Sequence, residues 1–217
     1  DHYVIEGVEE RETWLMRRGP ERAGQRRMQL IVANADQLAV VVAPNPDLRL
    51  NVVDRYFLAA LQGGLSPLLV VNKLDLDPAV RDSADVRDYV RLGYPVAFTS
   101  ATEGLGLDEL RALLTGKFTA FCGHSGVGKS TILRELTGHD IEVGEVREDS
   151  LKGRHTTTTS RVYPLPGGGE VVDTPGIRTF GLAHLTWLDV HEYFSDIAEL
   201  TARCGFRDCS HTVEPNC

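Results

Sequence analysis

The chain has 217 residues, 42% of them hydrophobic and 25% charged, enough for one sizeable core and a smaller appendage. A net charge of −8 argues against a general nucleic-acid binder. No window resembles a signal peptide or a membrane span, so a soluble, cytoplasmic protein without membrane contacts is expected.

Residues 1–30 read as one or two short strands and a basic loop. Between residues 11 and 30, Arg11, Arg17, Arg18, Arg22, Arg26 and Arg27 are opposed only by Glu12 and Glu21. This is a local basic segment on an acidic chain, and charge alone does not separate a solvated loop from a contact surface. From residue 28 short apolar runs alternate with amphipathic stretches, which predicts a parallel sheet covered by helices. Strands are expected over 37–43, 67–71, 95–99, 118–122, 160–165 and 170–172. Helices are expected over 50–61, 79–92, 107–114, 129–136 and 189–202. Gly63-Gly64 and Gly93 suit the ends of the first two helices, and Asp108 and Glu109 suit the first turn of the third.

The first motif along the chain is Asn72-Lys73-Leu74-Asp75, directly after an apolar strand. An ionised carboxylate accepts hydrogen bonds and cannot donate. Guanine offers two adjacent donors, N1–H and the 2-amino group, and Asp75 suits both. Adenine would leave the carboxylate unpaired, a mismatch of about 1–3 kcal/mol or more. Asn72 suits the other edge of the base and its neighbouring loops, and the Lys73 stem suits the ring face. Ser100-Ala101, after the next strand, resembles a weaker element whose backbone N–H groups contact the guanine oxygen.

Gly123-His124-Ser125-Gly126-Val127-Gly128-Lys129-Ser130 fits G-x-x-x-x-G-K-[ST], with a strand leading in and a helix, containing Thr131, leading out. The glycines let several N–H groups converge on one anion, and the helix N-terminus adds partial positive charge. Lys129 suits the β- and γ-phosphates and the Ser130 hydroxyl suits Mg²⁺. His124 is expected only to shape the pocket. Gly153–Ser160 is a threonine-rich loop in which Thr156, or Thr157 as the alternate, completes the magnesium shell. Asp173-Thr-Pro-Gly176 follows a strand, where Asp173 suits a magnesium-bound water and the Gly176 N–H suits the γ-phosphate. Many GTPases carry Gln after that glycine, but here the position is Ile177, which cannot orient water. His155 is the candidate catalytic residue in its place.

Three of the four cysteines lie after residue 203, which suggests metal before disulfide. Cys204, Cys209, His211 and Cys217 form a C-x₄-C-x-H-x₅-C cluster whose three thiolates and one imidazole suit tetrahedral Zn²⁺ in a structural role. Arg203 and Arg207 beside it suit phosphate contacts. Cys122 reads as a core residue.

The usual order in GTPases is phosphate loop, threonine switch, D-x-x-G, N-K-x-D, S-A. Here the same cycle starts at N-K-x-D, as if cut at a different loop, which leaves a site at one sheet edge intact. These motifs, with Ala33-Asn-Ala-Asp36, Asp54-Arg-Tyr56, Gly153-Arg-His-Thr-Thr-Thr158 and the cysteine cluster, resemble the ribosome small-subunit-dependent GTPase A (RsgA) family of circularly permuted bacterial GTPases. The resemblance implies an α/β, circularly permuted P-loop GTPase sheet over 31–184. It implies the C-terminal part of an OB-fold β-barrel over 1–30, and a truncated zinc-binding domain over 185–217. It further implies GTP and GDP as ligands, Mg²⁺ with the nucleotide, and one structural Zn²⁺. GTP turnover would be stimulated by the small ribosomal subunit and its rRNA, in late maturation of that subunit, by a monomer. The alternatives are a zinc-containing RNA-binding scaffold with vestigial GTPase activity, or a permuted GTPase serving another ribosomal particle.

Overall fold

The computed structural model describes residues 6–18, 28–45, 48–141, 160–174, 187–206, 209, 211, 213–215 and 217. The first two strands, β1 (Trp14–Arg18) and β2 (Met28–Ala33), form an antiparallel pair with an irregularity between Leu15 and Met16. The main sheet has six strands: β3 (Gln37–Val42), β4 (Ser66–Val71), β5 (Val96–Phe98), β6 (Phe118–Gly123), β7 (Val162–Pro164) and β8 (Glu170–Asp173). Their spatial order is β5-β4-β3-β6-β8-β7. All neighbours are parallel except β7, which pairs antiparallel with β8 at the edge, so the expected parallel sheet is a mixed one.

The pleat explains the layering. Alternate strand residues point to opposite faces. Leu38, Val40, Val42, Leu69, Val71 and Cys122 share one buried cluster with Val53, Tyr56 and Phe57 of α1 (Leu50–Gln62) and with Val86 and Tyr89 of α2 (Ala84–Arg91). Ala39, Val41, Leu68, Val70 and Phe121 share the other with Leu110 and Leu114 of α3 (Leu107–Leu114) and with Ile132, Leu133 and Leu136 of α4 (Lys129–Thr137). Burying a residue of this size contributes about 1.5–3 kcal/mol, so the two faces supply most of the stabilisation.

Two expected helices are broken. The stretch 79–92 is a 3₁₀ turn (Pro78–Asp82) followed by α2, because Ser83 is extended and its hydroxyl accepts from the Val86 N–H as an N-cap. The stretch 189–202 is α5 (Trp187–Tyr193) and α6 (Ser195–Thr201), separated at Phe194, which is extended at φ −93°, ψ 109°. α5 lies against α1.

The amino ends of the strands are tied by Asp36. Its carboxylate and N–H bond the N–H and carbonyl of Phe118, at 2.7 and 2.8 Å, and its carbonyl accepts from Ser66. Asn34, left-handed at φ 55°, bonds the backbone of Glu10 and Glu12, which attaches the N-terminal segment there. The Ala33–Asp36 motif is therefore a structural brace at the end of the sheet opposite its carboxyl-terminal loops.

Candidate functional site

In an open α/β sheet, ligands bind beyond the carboxyl ends of the strands where the winding reverses. Here the chain winds from β3 out to β5, then returns to β6 beside β3 and continues the other way. The reversal lies between β3 and β6. The loop leaving β6 is the glycine-rich Gly123–Ser130, and parallel register brings the ends of β4 and β8 level with it.

Two glycines in this loop have steric reasons. Gly123 has φ 142°, and a Cβ there would meet the Val41 carbonyl oxygen at 2.2 Å. Gly128 has φ 95°, and a Cβ there would meet Asn72 Nδ2 at 2.3 Å. Lys129 Nζ donates to the carbonyls of Gly123 and His124 at 2.8 and 3.0 Å, so the ammonium sits over the first turn of the loop. Ser130 and Thr131 open α4 and are half-buried.

Asn72 is buried at the end of β4, and its side chain is a three-way brace. Nδ2 donates to the Val127 carbonyl at 2.9 Å. Oδ1 accepts from the Thr99 hydroxyl at 3.0 Å and from the Ala101 N–H at 3.2 Å. The amide thus joins the phosphate-type loop, the end of β4 and the Ser100-Ala101 turn. The Ala101 N–H, one of the backbone donors of the Ser100-Ala101 element, points at the Asn72 side chain. Asp75 is exposed, and one oxygen accepts from the buried Ser100 hydroxyl at 2.5 Å. No local sequence signal marks this anchor, because Ser100 and Asp75 lie on neighbouring strand ends 25 positions apart. Lys73 is left-handed at φ 63°, uncommon for a residue with a Cβ, and its Nζ donates to the Asn45 carbonyl at 3.3 Å. Leu74 is buried, and its N–H donates to the Thr99 carbonyl.

Asp173 ends β8. Its Oδ1 is buried with no hydrogen-bond partner among the described residues. Burial raises the carboxyl pKa from its ordinary value, while the Lys129 charge and the Thr174 N–H oppose that rise. A buried acceptor without a donor, beside the lysine of an anion loop, fits a Mg²⁺ shell, with Ser130 as the other described donor. Thr174 is buried and donates from its hydroxyl to the Phe121 carbonyl. Gly176, Ile177, His155, Thr156, Thr157 and Arg207 lie outside the described residues, as do Arg22, Arg26 and Arg27.

Cys122 is fully buried, and burial pushes its thiol pKa up. Beside it, Tyr56 of α1 lines a cavity under the phosphate-type loop with Val40, Val42, Val52, Arg49 and His124. Arg49 Nη1 lies 3.4 Å from His124 Nε2. No sequence signal marked Arg49, which precedes a helix and belongs to no motif. Asp54 accepts from the Tyr89 hydroxyl at 2.5 Å, which ties α1 to α2.

At the C-terminus the donor atoms of Cys204, Cys209, His211 and Cys217 all lie within 4.8 Å of one another. Cys204 Sγ is 3.9 Å and His211 Nδ1 is 3.0 Å from Cys217 Sγ. Tetrahedral zinc bonds of the usual lengths put donor atoms about 3.3–3.8 Å apart, so the cluster fits a structural Zn²⁺. The Phe206 N–H lowers the Cys204 thiol pKa, whereas desolvation pushes Cys209 up to about 12. A bound cation would favour both thiolates. The His191 ring stacks edge-on against His211 at 4.7 Å, which links α5 to the cluster. Among the described residues no helix is long and apolar enough to cross a membrane.

The description "RsgA GTPase" belongs to the family whose model matches residues 8–183. The small ribosomal subunit biogenesis GTPase RsgA of Azotobacter vinelandii is 44% identical over 202 residues, which are 91% of this chain and 58% of that protein. Its counterpart in Chlorobaculum tepidum is 43% identical over 218 residues, covering 99% of this chain and 70% of that protein. The chain therefore spans little more than half the length of several curated relatives. Among solved structures, YjeQ from Thermotoga maritima superposes with a TM-score of 0.70 at 32% identity, over 97% of this chain and 68% of that one. YloQ, described as a circularly permuted GTPase, gives 0.70 at 25% identity, over 97% and 64%. With its P-loop α/β sheet, its motif order and this match, the chain belongs to the RsgA GTPase family.

Proposed function

We propose that this protein hydrolyses GTP and acts on the small ribosomal subunit during its maturation. The observation that carries the reading is the Asn72 brace, which couples an anion loop to a purine-reading strand end in one site. The relatives' name supplies the subunit as partner. Asp75, oriented by Ser100, accepts from guanine, and the Lys73 stem covers the ring. The Gly123–Gly128 backbone and Lys129 receive the phosphates. Ser130, Asp173 and Thr156 would hold Mg²⁺, which would supply charge neutralisation at the phosphates. His155 orients the attacking water, since Ile177 has no group that does so. Gly176 senses the γ-phosphate. The chain leaving Asp173 runs into α5, so nucleotide state has a direct covalent route to the cysteine module, where Zn²⁺ is structural.

Residues 1–30 are read as the C-terminal part of an OB-fold barrel, 31–184 as the permuted GTPase, and 185–217 as the zinc domain. The half-exposed Met28 and Leu30 of β2 support the barrel reading, because such a face suits further strands. The deciding experiment measures GTP turnover of the intact protein and of His155→Ala, with and without small subunits. Stimulation of the unsubstituted protein, and a variant about 100-fold slower with unchanged GTP affinity, are expected. Turnover indifferent to the subunit would count against the reading, and unchanged turnover in the variant would dismiss His155.

A further inference from the structure

The cavity under the glycine-rich loop has an apolar floor of Val40, Val42, Val52 and Tyr56, and two basic side chains, Arg49 and His124, complete it. Arg49 is exposed and His124 half-buried, so both stand at its solvent side. Gly123 and Ser125 share the lining, which places the cavity against the first turn of the loop. One neutral tautomer of His124 serves both of its contacts. Nδ1–H faces the Ser125 carbonyl at 3.4 Å, and Nε2 accepts from Arg49 Nη1 at 3.4 Å.

The two ends of the site are chemically distinct. The purine end is marked by Asp75 and Ser100. The other end is marked by Lys129 on the Gly123 and His124 carbonyls, and by Asp173 on the next strand. A nucleotide laid between them ends its phosphate chain at the first turn of the loop, where the Arg49 guanidinium is held. Arginine presents a rigid fork of donors suited to phosphate oxygens, and GDP lacks the phosphate that would meet it.

We propose that Arg49, held over the loop by His124, contacts the terminal phosphate of GTP and makes the site prefer GTP to GDP. The proposal rests on the guanine-nucleotide reading above. Arg49 is the residue before α1, and its side chain makes no capping hydrogen bond, so its replacement removes no cap from the helix.

The test is the affinity of the intact protein, Arg49→Ala and Arg49→Lys for fluorescent GDP and for a fluorescent, non-hydrolysable GTP analogue with Mg²⁺. Arg49→Ala is expected to weaken the triphosphate about tenfold and GDP by less than about twofold. Arg49→Lys keeps a point charge and should fall between the alanine variant and the unsubstituted protein. Equal loss for both nucleotides in Arg49→Ala, or loss for neither, would overturn the proposal. Failure of the underlying reading looks different: the unsubstituted protein would then show no preference for guanine over adenine nucleotides.

Discussion

The side-chain amide of Asn72 donates to the backbone carbonyl of Val127 across 55 positions of sequence. The same amide accepts from Thr99 and Ala101, both on the turn after β5, so it ties that turn and the glycine-rich loop to the end of β4. Replacing Asn72 with Ala leaves a buried carbonyl, hydroxyl and N–H without partners. The expected cost is about 2–3 kcal/mol of stability, read by urea unfolding, with nucleotide affinity falling alongside. A variant as stable as the parent would mean that the brace is dispensable.

Asp75→Asn exchanges an acceptor-only group for one that also donates. The variant should lose GTP affinity at least about tenfold and bind xanthosine triphosphate better than the parent does. Competition binding with the two nucleotides checks this, and an unaltered preference would remove Asp75 from base reading. The Ser100 hydroxyl still has an amide oxygen to meet, so little effect on folding is expected.

Asp173 carries a pH-dependent cost. Its folded-state pKa is raised by burial, so ionising it opposes folding. That cost is absent below the ordinary carboxylate range and is felt fully once the pH has risen through the raised value. Without Mg²⁺, Asp173→Asn should therefore have the higher Tm at neutral pH, and the gap should close in acid. With Mg²⁺ and GTP the order should invert, because only the carboxylate gains the cation. Thermal melts across pH, with and without Mg²⁺, test both halves, and a variant that melts lower at neutral pH without Mg²⁺ would refute the first.

Much of the site was legible because its chemistry lies in short motifs next to apolar strands. The glycine loop, Asn72–Asp75, Asp173 and the cysteine cluster could all be placed from spacing. What the sequence hid was lateral. Ser100 orienting Asp75, Asp36 tying three strands together and Arg49 approaching His124 depend on the order of strands in space, which no local pattern encodes. The helix breaks at Ser83 and Phe194 were hidden for another reason. The apolar period runs on across them, and the interruption comes from a cap hydroxyl in one case and an extended residue in the other.

The cysteine cluster gives a prediction about local order. Thiolates and a neutral imidazole bind zinc, so acid competes with the metal and zinc should leave as pH falls. Chelation or Cys209→Ala should raise amide exchange in α5 and α6 while leaving the β3, β4 and β6 core protected. Uniform exchange throughout, or none, would show that the module is not a separately held unit.

The central claim is that one nucleotide is gripped at its purine by Asp75 and at its phosphates by the loop around Lys129. Displacement of labelled GDP from the purified protein by GTP and by ATP tests it most directly. GTP should displace the label at a concentration at least about a hundredfold lower than ATP. Equal displacement by the two would contradict the account, since a loop that holds phosphates without a strand end that reads the base cannot tell them apart.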